Sequence, residues 1–268
     1  MTTIEDRRSQ PLRSAAELEI ALPAPGSRLD QDEEWVVART PDGWRRIRLH
    51  DYDQVFSVPG LYERWIYDVL QCKSPEVVRR QLEAALRRDG IDPADLTVLD
   101  LGAGNGCVAE ELRGIGMERF VGIDIHPEAE EAAERDRPGL YCDYVIGDLT
   151  NLDAAGRATL DRHDYDCLTC VAALGFGDIP VAVFAEAYNR VKDGGWIAFT
   201  IKTDFLDEAD DSGFSRLIRR MLADGVLDLD TREEYQHRMS TDGQPLIYEA
   251  FLGRKRGAIP ARVVSEIG

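Results

Sequence analysis

The chain has 268 residues, of which 50 are acidic and 32 basic, and its formal net charge at neutral pH is −18. Such a charge repels the phosphate backbone of nucleic acids, which proteins bind through Lys and Arg, so a nucleic-acid partner is disfavoured. No stretch reaches the roughly 20 apolar residues of a membrane span, and the first residues lack the apolar core of a signal peptide. We therefore expect a cytoplasmic protein without a membrane partner, present as a monomer or homodimer.

The cysteines predict free thiols rather than a disulfide framework. They are odd in number and lie in apolar or strand-like contexts, which is typical of buried thiols in a reducing compartment. Cys167 and Cys170 are three residues apart in a predicted strand, so their side chains point to opposite faces and do not share a disulfide or a metal ion. No other His, Cys or Asp cluster has metal-ligand spacing, and no metal site is expected.

The amino-terminal part of the chain divides into three segments. Residues 1–33 are polar and broken by prolines, which predicts a flexible arm with only a short helical or extended piece. Residues 35–40 and 44–49 flank a Pro-Asp-Gly turn and predict a β-hairpin, whose function the sequence does not specify. Residues 52–68 are aromatic and acidic. With the hairpin they form a predicted cap at residues 34–73.

Strand and helix patterns alternate through the rest of the chain. Apolar runs at residues 97–101, 120–124 and 142–146 are separated by helical patterns, which predicts parallel strands joined by right-handed crossovers. Further elements are a helix that starts at Ser74, strands at 165–171 and 196–201, helices near 178–191 and 214–223, and two final strands near 235–240 and 246–252. The prediction is a Rossmann-like α/β fold with a seven-stranded, mostly parallel sheet, helices on both faces and an antiparallel last pair.

A glycine turn follows the first of these strands. Gly102, Gly104 and Gly106 allow a backbone path that a Cβ would obstruct, and the amides of the next helix face any ligand that lies against the turn. The second strand ends at Asp124, at about the 20-residue distance where nucleotide-binding folds put a carboxylate on ribose hydroxyls. The third strand ends at Asp148. Parallel strands bring these positions to one edge of the sheet, where open α/β folds bind ligands.

The motifs at residues 99–106, 122–124 and 147–149 resemble the first three motifs of class I S-adenosylmethionine (SAM) dependent methyltransferases, and the resemblance covers residues 52–256. It implies SAM as cofactor, with the glycine turn near its methionine part, Asp124 on the ribose diol and Asp148 on the adenine amino group. The cofactor residues that it implies are Gly102, Ala103, Gly104, Gly106, Asp124, Ile125, Asp148, Leu149 and Cys170.

The aromatic segment also carries a resemblance. It is similar to the tyrosine-bearing region that folds over the cofactor in small-molecule methyltransferases, which implies that Tyr52 and Tyr62 contact SAM or substrate. The general form looks like the proteins related to the Williams-Beuren region methyltransferase. The expected division is an arm at 1–33, the cap at 34–73, a SAM-binding domain at 74–256 and a tail at 257–268.

Three residues are candidates for catalysis. A base is needed only when the acceptor loses a proton, and a His or carboxylate within reach then contributes about 10²- to 10⁴-fold. His237 lies in the carboxyl half, where relatives shape substrate pockets. Asp178 could instead cap the following helix, and Asp204 could instead be an ordinary solvent-exposed residue. The other histidines are expected elsewhere: His50 and His163 as surface or packing residues, and His126 beside the adenosyl group.

Together these features predict a methyltransferase that acts on oxygen or nitrogen of a small molecule. One alternative is a SAM-binding protein that catalyses another reaction, such as a cyclisation. The other is a nicotinamide-dependent oxidoreductase, whose G-x-G-x-x-G spacing would put a glycine at position 107, where this chain has Cys107. The residues after the fourth strand, 170–174, lack the Asp/Asn-Pro-Pro-aromatic motif of enzymes that methylate amino groups of nucleic-acid bases.

Overall fold

The computed structural model describes residues 18–24, 26–27, 29–207, 210 and 212–267. These residues form ten β-strands and eight α-helices. The strands are β1 (Ile20–Ala21), β2 (Trp35–Thr40), β3 (Gly43–Arg48), β4 (Thr97–Leu101), β5 (Arg119–Asp124), β6 (Asp143–Ile146), β7 (Tyr165–Leu174), β8 (Val191–Lys202), β9 (Leu227–Met239) and β10 (Pro245–Lys255). The helices are α1 (Tyr52–Ser57), α2 (Ser74–Asp89), α3 (Cys107–Arg113), α4 (Pro127–Asp136), α5 (Ala154–Leu160), α6 (Val181–Arg190), α7 (Phe214–Ala223) and α8 (Ala261–Ile267).

A seven-stranded sheet forms the centre of the molecule. Its strand order is β6-β5-β4-β7-β8-β10-β9. The first five strands are parallel, and β10 runs antiparallel to both β8 and β9. The predicted α/β, Rossmann-like architecture with an antiparallel last pair is therefore confirmed.

Helices cover both faces of this sheet because its inner strands are apolar on both sides. On one face, α2 and α3 pack over Val98, Phe120 and Trp196. On the other face, α6, α7 and α8 pack over Leu99 and Phe199, among other core residues. The segment after residue 256, expected to be a tail, thus contains a helix that packs on the domain.

The last two strands are much longer than the sequence pattern predicted. β9 is an edge strand, and charged residues such as Asp228, Asp230 and Arg232 are exposed along it. Charges on an edge strand discourage pairing with other chains. Because they also interrupt any apolar run, the pattern revealed only the end of β9 nearest the hairpin turn.

The amino-terminal cap is a small sheet followed by two helical turns. β2 and β3 form the predicted hairpin, and β1 adds a third strand beside β2. A π-helical turn at Glu63–Val69 follows α1, and the cap has its own core around Ile47, Leu61 and Trp65. Residues 1–17 of the predicted arm lie outside the described residues. From residue 18 onward, the extended piece expected in the arm corresponds to β1, which pairs with β2, and a 3-10 turn lies at Gln31–Glu33.

The five cysteines are free, as predicted. Cys167 packs on the α2 and α3 face of the sheet and Cys170 on the opposite face, so their expected separation is confirmed. The expected burial of Cys142 is wrong, because β6 begins one residue later and leaves this thiol exposed. Within the described ranges, no group of three or more His, Cys, Asp or Glu could hold a metal ion, and no helix has both the length and the apolar character for crossing a bilayer.

Candidate active site

A cavity of about 320 Å³ lies between the carboxyl ends of β4 to β7 and the amino-terminal cap. One side, which we call the cofactor wall, is built from the predicted motifs: Gly102, Ala103, Gly104, Asp124, Ile125, Asp148 and Leu149. The other side, which we call the acceptor wall, comes from distant parts of the chain: Gln31, His50, Asp178, His237, Arg238 and Tyr248.

The glycine turn gives the cofactor wall a surface of bare backbone. Gly102 and Gly104 have φ values of +69° and +53°, a region that L side chains rarely adopt. A Cβ on Gly104 would lie 3.1 Å from Cζ of Phe56, and one on Gly102 would lie 3.1 Å from Cδ1 of Ile179. Larger residues would therefore both strain the turn and intrude between it and the groups around the cavity.

Gly106 has a different role from the one expected. Its φ is +89°, and a Cβ there would meet Leu140, Tyr141 and Arg137 rather than the cavity. It does not line the cavity. The predicted contact of Gly106 with cofactor is corrected to a packing role, because by this residue the chain has already turned into α3 and faces the next loop.

Asp124 ties the end of β5 to the glycine turn. Its Oδ2 accepts a hydrogen bond from the Gly104 amide at 2.9 Å, and its Oδ1 accepts from the His126 amide at 3.0 Å. Burial raises the pKa of this carboxyl, while these amide bonds oppose the rise. An ionised carboxylate has about four acceptor positions. Asp124 can thus hold the turn and still accept from ligand hydroxyls.

The adjoining part of the cofactor wall combines an apolar surface with a second carboxylate. Ile125 is 59% exposed and lines the cavity, and an exposed apolar side chain of this size at a cavity suits a flat apolar ligand group. Asp148 is exposed, and its Oδ1 accepts from the amide and hydroxyl of Thr150. Leu149 is buried behind it. Bare backbone, an apolar face and two carboxylates fit the parts of an adenosyl group.

Aromatic side chains of the cap cover the cofactor wall. Tyr52 stacks with Phe56 at a centroid distance of 5.9 Å, and Phe56 contacts Tyr62 at 5.2 Å. Burial raises the pKa of Tyr52 and Tyr62 well above the usual value, so both phenols stay protonated. Tyr144 donates from its hydroxyl to the carbonyl of Gly104 and supports the turn from behind. Tyr52 and Tyr62 both line the cavity, next to the glycine turn that Phe56 covers.

On the acceptor wall, His50 and Asp178 form a pair. Nδ1 of His50 lies 3.0 Å from Oδ2 of Asp178, and the His50 ring packs edge-on against Phe176. The helix-cap role of Asp178 is wrong: α6 begins at Val181, behind Pro180, and has no side-chain cap. The expectation that His50 is a surface or packing residue is also wrong, because it lines the cavity. The pair spans 128 residues, and no local pattern pointed to it.

His237, the sequence candidate for a base, lies deeper in the same wall. It is 4% exposed, its Nδ1 lies 2.6 Å from the Ser74 hydroxyl, and its ring stacks obliquely on Tyr248. Burial holds its pKa well below the usual range, and the nearby Arg238 adds to this effect. The Ser74 hydroxyl also contacts the Tyr235 hydroxyl, at 2.5 Å. His237 is therefore a neutral, hydrogen-bonded imidazole at neutral pH.

The floor of the acceptor wall was not predicted from the sequence. Arg238 and Glu34 form an ion pair whose side chains are 2% and 1% exposed. Gln31 donates from Nε2 to the Tyr248 hydroxyl at 2.7 Å, while its buried Oε1 has no hydrogen-bond partner among the described residues. Burial raises the pKa of Tyr248 to about 12. The two charges in this part of the acceptor wall are therefore paired, and one buried hydrogen-bond acceptor, Oε1 of Gln31, has no donor among the described residues.

Two further predicted residues lie outside the cavity. Asp204 follows β8, has a 65% exposed side chain and pairs with Lys202 at 2.7 Å. It is therefore a solvent-exposed residue, as its alternative role predicted. Cys170 is buried in the core, because β7 departs from its register with β8 only after this residue. The chain reaches the cavity one residue later, at Val171 and Ala172.

Comparison with known families agrees with this geometry. A family model described as a methyltransferase domain matches residues 99–199, from within β4 to within β8. The match contains the glycine turn, Asp124 and Asp148. Residues 99–199 thus match a methyltransferase domain, and the sheet that contains them has the Rossmann-like strand order described above.

Part of this chain is also similar in sequence to curated proteins. A ubiquinone biosynthesis O-methyltransferase from Paraburkholderia phytofirmans is 31% identical over 109 residues, which cover 40% of this chain and 44% of the relative. One from Thiobacillus denitrificans is 33% identical over 103 residues, covering 38% and 43%. This chain thus spans less than half the length of these curated relatives.

A solved structure shares the fold. A putative RNA methyltransferase from Pyrococcus horikoshii covers 78% of this chain and all of its own, with 14% sequence identity and a TM-score of 0.50. At this identity the likeness concerns architecture alone. The finer resemblance to the Williams-Beuren region methyltransferases stays a prediction.

Proposed function

We propose that this protein transfers the methyl group of SAM to an oxygen or nitrogen atom of a small-molecule acceptor. One observation carries the proposal: a single cavity joins a wall of bare backbone and carboxylates to a wall of hydrogen-bonding side chains. The first wall suits an adenosyl ligand, and the second suits a polar organic molecule. A concave site that is mostly apolar and carries a few polar groups is typical of sites for small molecules.

Each of the proposed cofactor residues would contact the part of SAM that suits its chemistry. Asp124 would accept from the ribose hydroxyls, Asp148 from the adenine amino group, and Ile125 and Leu149 would contact the adenine ring. Gly102, Ala103 and Gly104 would lie against the methionine part, with Tyr52 and Tyr62 above. When bound, SAM supplies an electrophilic methyl group. The chain's part is to hold the acceptor in line with that group, and positioning of this kind lowers barriers by about 7 to 11 kcal/mol.

Charge and relatives both support a small acceptor. The net charge of −18 opposes binding of a nucleic-acid backbone. The curated relatives are named for ubiquinone biosynthesis and O-methyl transfer, which are small-molecule reactions. Among the predicted catalytic residues, His237 and Asp178 lie at the cavity and stay in the proposal as contacts of the acceptor. Asp204 does not.

Two measurements test the proposal. The first is calorimetric titration of the protein with SAM, S-adenosylhomocysteine and NADH. We expect binding of the two adenosyl compounds and none of NADH; binding of NADH alone would indicate an oxidoreductase and end the proposal.

The second measurement incubates the protein with methyl-labelled SAM and a cell metabolite extract. We expect label in a small organic product and an equal amount of S-adenosylhomocysteine. Consumption of SAM without a methylated product would instead support the alternative, a SAM-dependent reaction such as a cyclisation.

A further inference from the structure

We infer that His50, oriented by Asp178, is the base that deprotonates the acceptor, and that the acceptor is an uncharged aromatic molecule with at least two hydroxyl groups. The inference rests on the proposed function and narrows it to transfer onto oxygen.

The geometry of the pair defines which nitrogen acts. An ionised carboxylate only accepts hydrogen bonds, so at 3.0 Å from Oδ2 of Asp178 the Nδ1 of His50 carries the proton. The neutral imidazole then has its lone pair on Nε2. No hydrogen bond in the described part of the chain involves Nε2 of His50. The side chain of His50 is 13% exposed and lines the cavity, so Nε2 is the atom of this pair that can accept a proton from a bound molecule.

The other histidines at the cavity serve less well as bases. His237 is already bonded through Nδ1 to Ser74, and no carboxylate is within hydrogen-bonding distance to stabilise its imidazolium among the described residues. His126 lies beside Asp124 on the cofactor wall, where its backbone amide is engaged. Among the histidines that the structure describes, only His50 combines a carboxylate partner with a place at the cavity.

A histidine base selects the kind of hydroxyl. A phenol has a pKa of about 10 and imidazole one of about 6.5, a gap that a positioned base can bridge. A hydroxyl with the pKa of water, about 16, lies far outside that range. An uncharged amine attacks without losing a proton first and has no need of the pair. Aromatic rings of Phe176 and Tyr52 flank His50 and suit an aromatic acceptor.

The floor of the acceptor wall indicates the rest of the acceptor. Arg238 is the one Arg or Lys that lines the described cavity, and it is bound to the buried Glu34. An anionic group on the acceptor would therefore find no free cation. Gln31 lines the cavity, and its buried Oε1 atom has no hydrogen-bond partner in the structure as described. A buried acceptor without a donor is costly, and a second hydroxyl of the acceptor molecule would supply the donor once the Gln31 side chain turns toward it.

The step balances as an in-line displacement. The acceptor hydroxyl gives its proton to Nε2 of His50, and its oxygen lone pair forms a bond to the methyl carbon. The carbon–sulfur bond breaks, and its electron pair stays on sulfur. The products are a methyl ether and S-adenosylhomocysteine. The imidazolium, stabilised by Asp178, then releases the proton to water.

The test uses 4-nitrocatechol, an uncharged aromatic diol whose ionised form absorbs visible light. It is added to the full protein with S-adenosylhomocysteine, about one pH unit below its own first pKa. We expect the parent to bind the probe and ionise it. His50→Gln should bind S-adenosylhomocysteine as the parent does but lower the ionised fraction of bound probe to about one tenth, the value for free probe at this pH, and lower kcat for probe methylation about tenfold.

The chain provides a matched control. His163 and Asp143 form a second His–Asp pair, with Nε2 and Oδ2 2.7 Å apart, and neither residue lines the cavity. His163→Gln should leave the ionised fraction unchanged. Asp178→Asn tests the orienting role separately: the imidazole of His50 should shift toward its other tautomer in ¹⁵N spectra, and the ionised fraction should fall by less than in His50→Gln.

The outcomes separate the two proposals. If the parent binds no SAM, the proposed function itself fails. If it binds SAM but not the probe, the acceptor class is wrong. If His50→Gln ionises and methylates the probe as the parent does, or if His237→Gln alone removes the ionised form, the assignment of the base is wrong while methyl transfer stands. Circular dichroism and the S-adenosylhomocysteine titration of each variant establish that it is folded.

Discussion

The two walls of the cavity are built in opposite ways. The cofactor wall consists of short chain segments that follow three consecutive parallel strands, and much of its surface is backbone. The acceptor wall consists of side chains from the cap, the segment after β7, and the antiparallel pair β9 and β10. The first wall is thus a product of local sequence and sheet topology. The second exists only once distant segments have packed.

Different forces hold the two walls. On the cofactor wall, Asp124 fastens the glycine turn through backbone amides, and Tyr144 supports it from behind. On the acceptor wall, the buried Glu34–Arg238 pair joins the cap to β9, and Glu34 also accepts from the Thr241 amide at 2.6 Å. Substitutions can therefore damage one wall and spare the other.

The largest effect should come from the ion pair that anchors the acceptor wall. Glu34→Gln leaves Arg238 buried without its carboxylate, which typically costs about 3 to 5 kcal/mol of unfolding free energy. Urea denaturation measures it. The double variant Glu34→Leu with Arg238→Met should recover most of the loss, because well-packed apolar residues often replace a buried pair at little cost. A single variant as stable as the parent would show that the pair does not hold the cap.

The free energy of unfolding should depend on pH through Asp100, which is buried in β4 next to the cofactor wall. Asp100 is 1% exposed, and burial raises its pKa to about 6, although Thr169 and Tyr141 donate to it at 2.7 and 2.8 Å. Between about pH 4 and pH 6 the folded state keeps the proton that the unfolded state has lost, so stability falls as pH rises through this window. The fall amounts to about 3 kcal/mol at most, at about 1.36 kcal/mol per pKa unit.

Asp100→Asn removes this contribution. Urea denaturation of both proteins at pH 4 and pH 7 gives the difference, and the variant should lose less stability than the parent over that range. Equal pH dependence in the two proteins would contradict the raised pKa of Asp100.

The cofactor wall itself is tested at Asp124. Asp124→Ala should weaken SAM binding by about 1 to 3 kcal/mol, because it removes charge-assisted hydrogen bonds to the ligand and frees the Gly104 amide. The fold should persist, and circular dichroism checks it. Calorimetric titration with SAM gives the affinity. An affinity equal to that of the parent would mean that the ribose lies elsewhere.

The smallest effect concerns a single methyl group on the glycine turn. Gly104→Ala should cost about 1 to 2 kcal/mol of stability for its left-handed backbone and should also weaken SAM binding, since the new Cβ lies 3.1 Å from Phe56. Gly90 is the matched control: its φ is +66° and a Cβ there meets nothing within 4 Å. Gly90→Ala should show a similar stability loss with unchanged SAM affinity. Equal SAM affinities in the two variants would show that the glycine turn does not contact the cofactor.

The sequence by itself determined the sheet and the cofactor wall. Apolar runs, helix patterns and the turn residues between them are local signals, and parallel crossovers then bring Gly104, Asp124 and Asp148 to one edge whatever the rest of the chain does. The same signals predicted the hairpin of the cap. They failed along β9, where alternating charges hide an edge strand.

Only the tertiary structure decided the acceptor wall. His50 meets Asp178 across 128 residues, and Gln31 meets Tyr248 across 217, contacts for which no spacing rule exists. Their positions depend on how the cap packs on the sheet. The same packing turned Gly106 away from the cavity, kept Cys170 in the core and left Asp204 in solvent. Local sequence specifies elements and the edge where they end, whereas long-range packing specifies which side chains meet there.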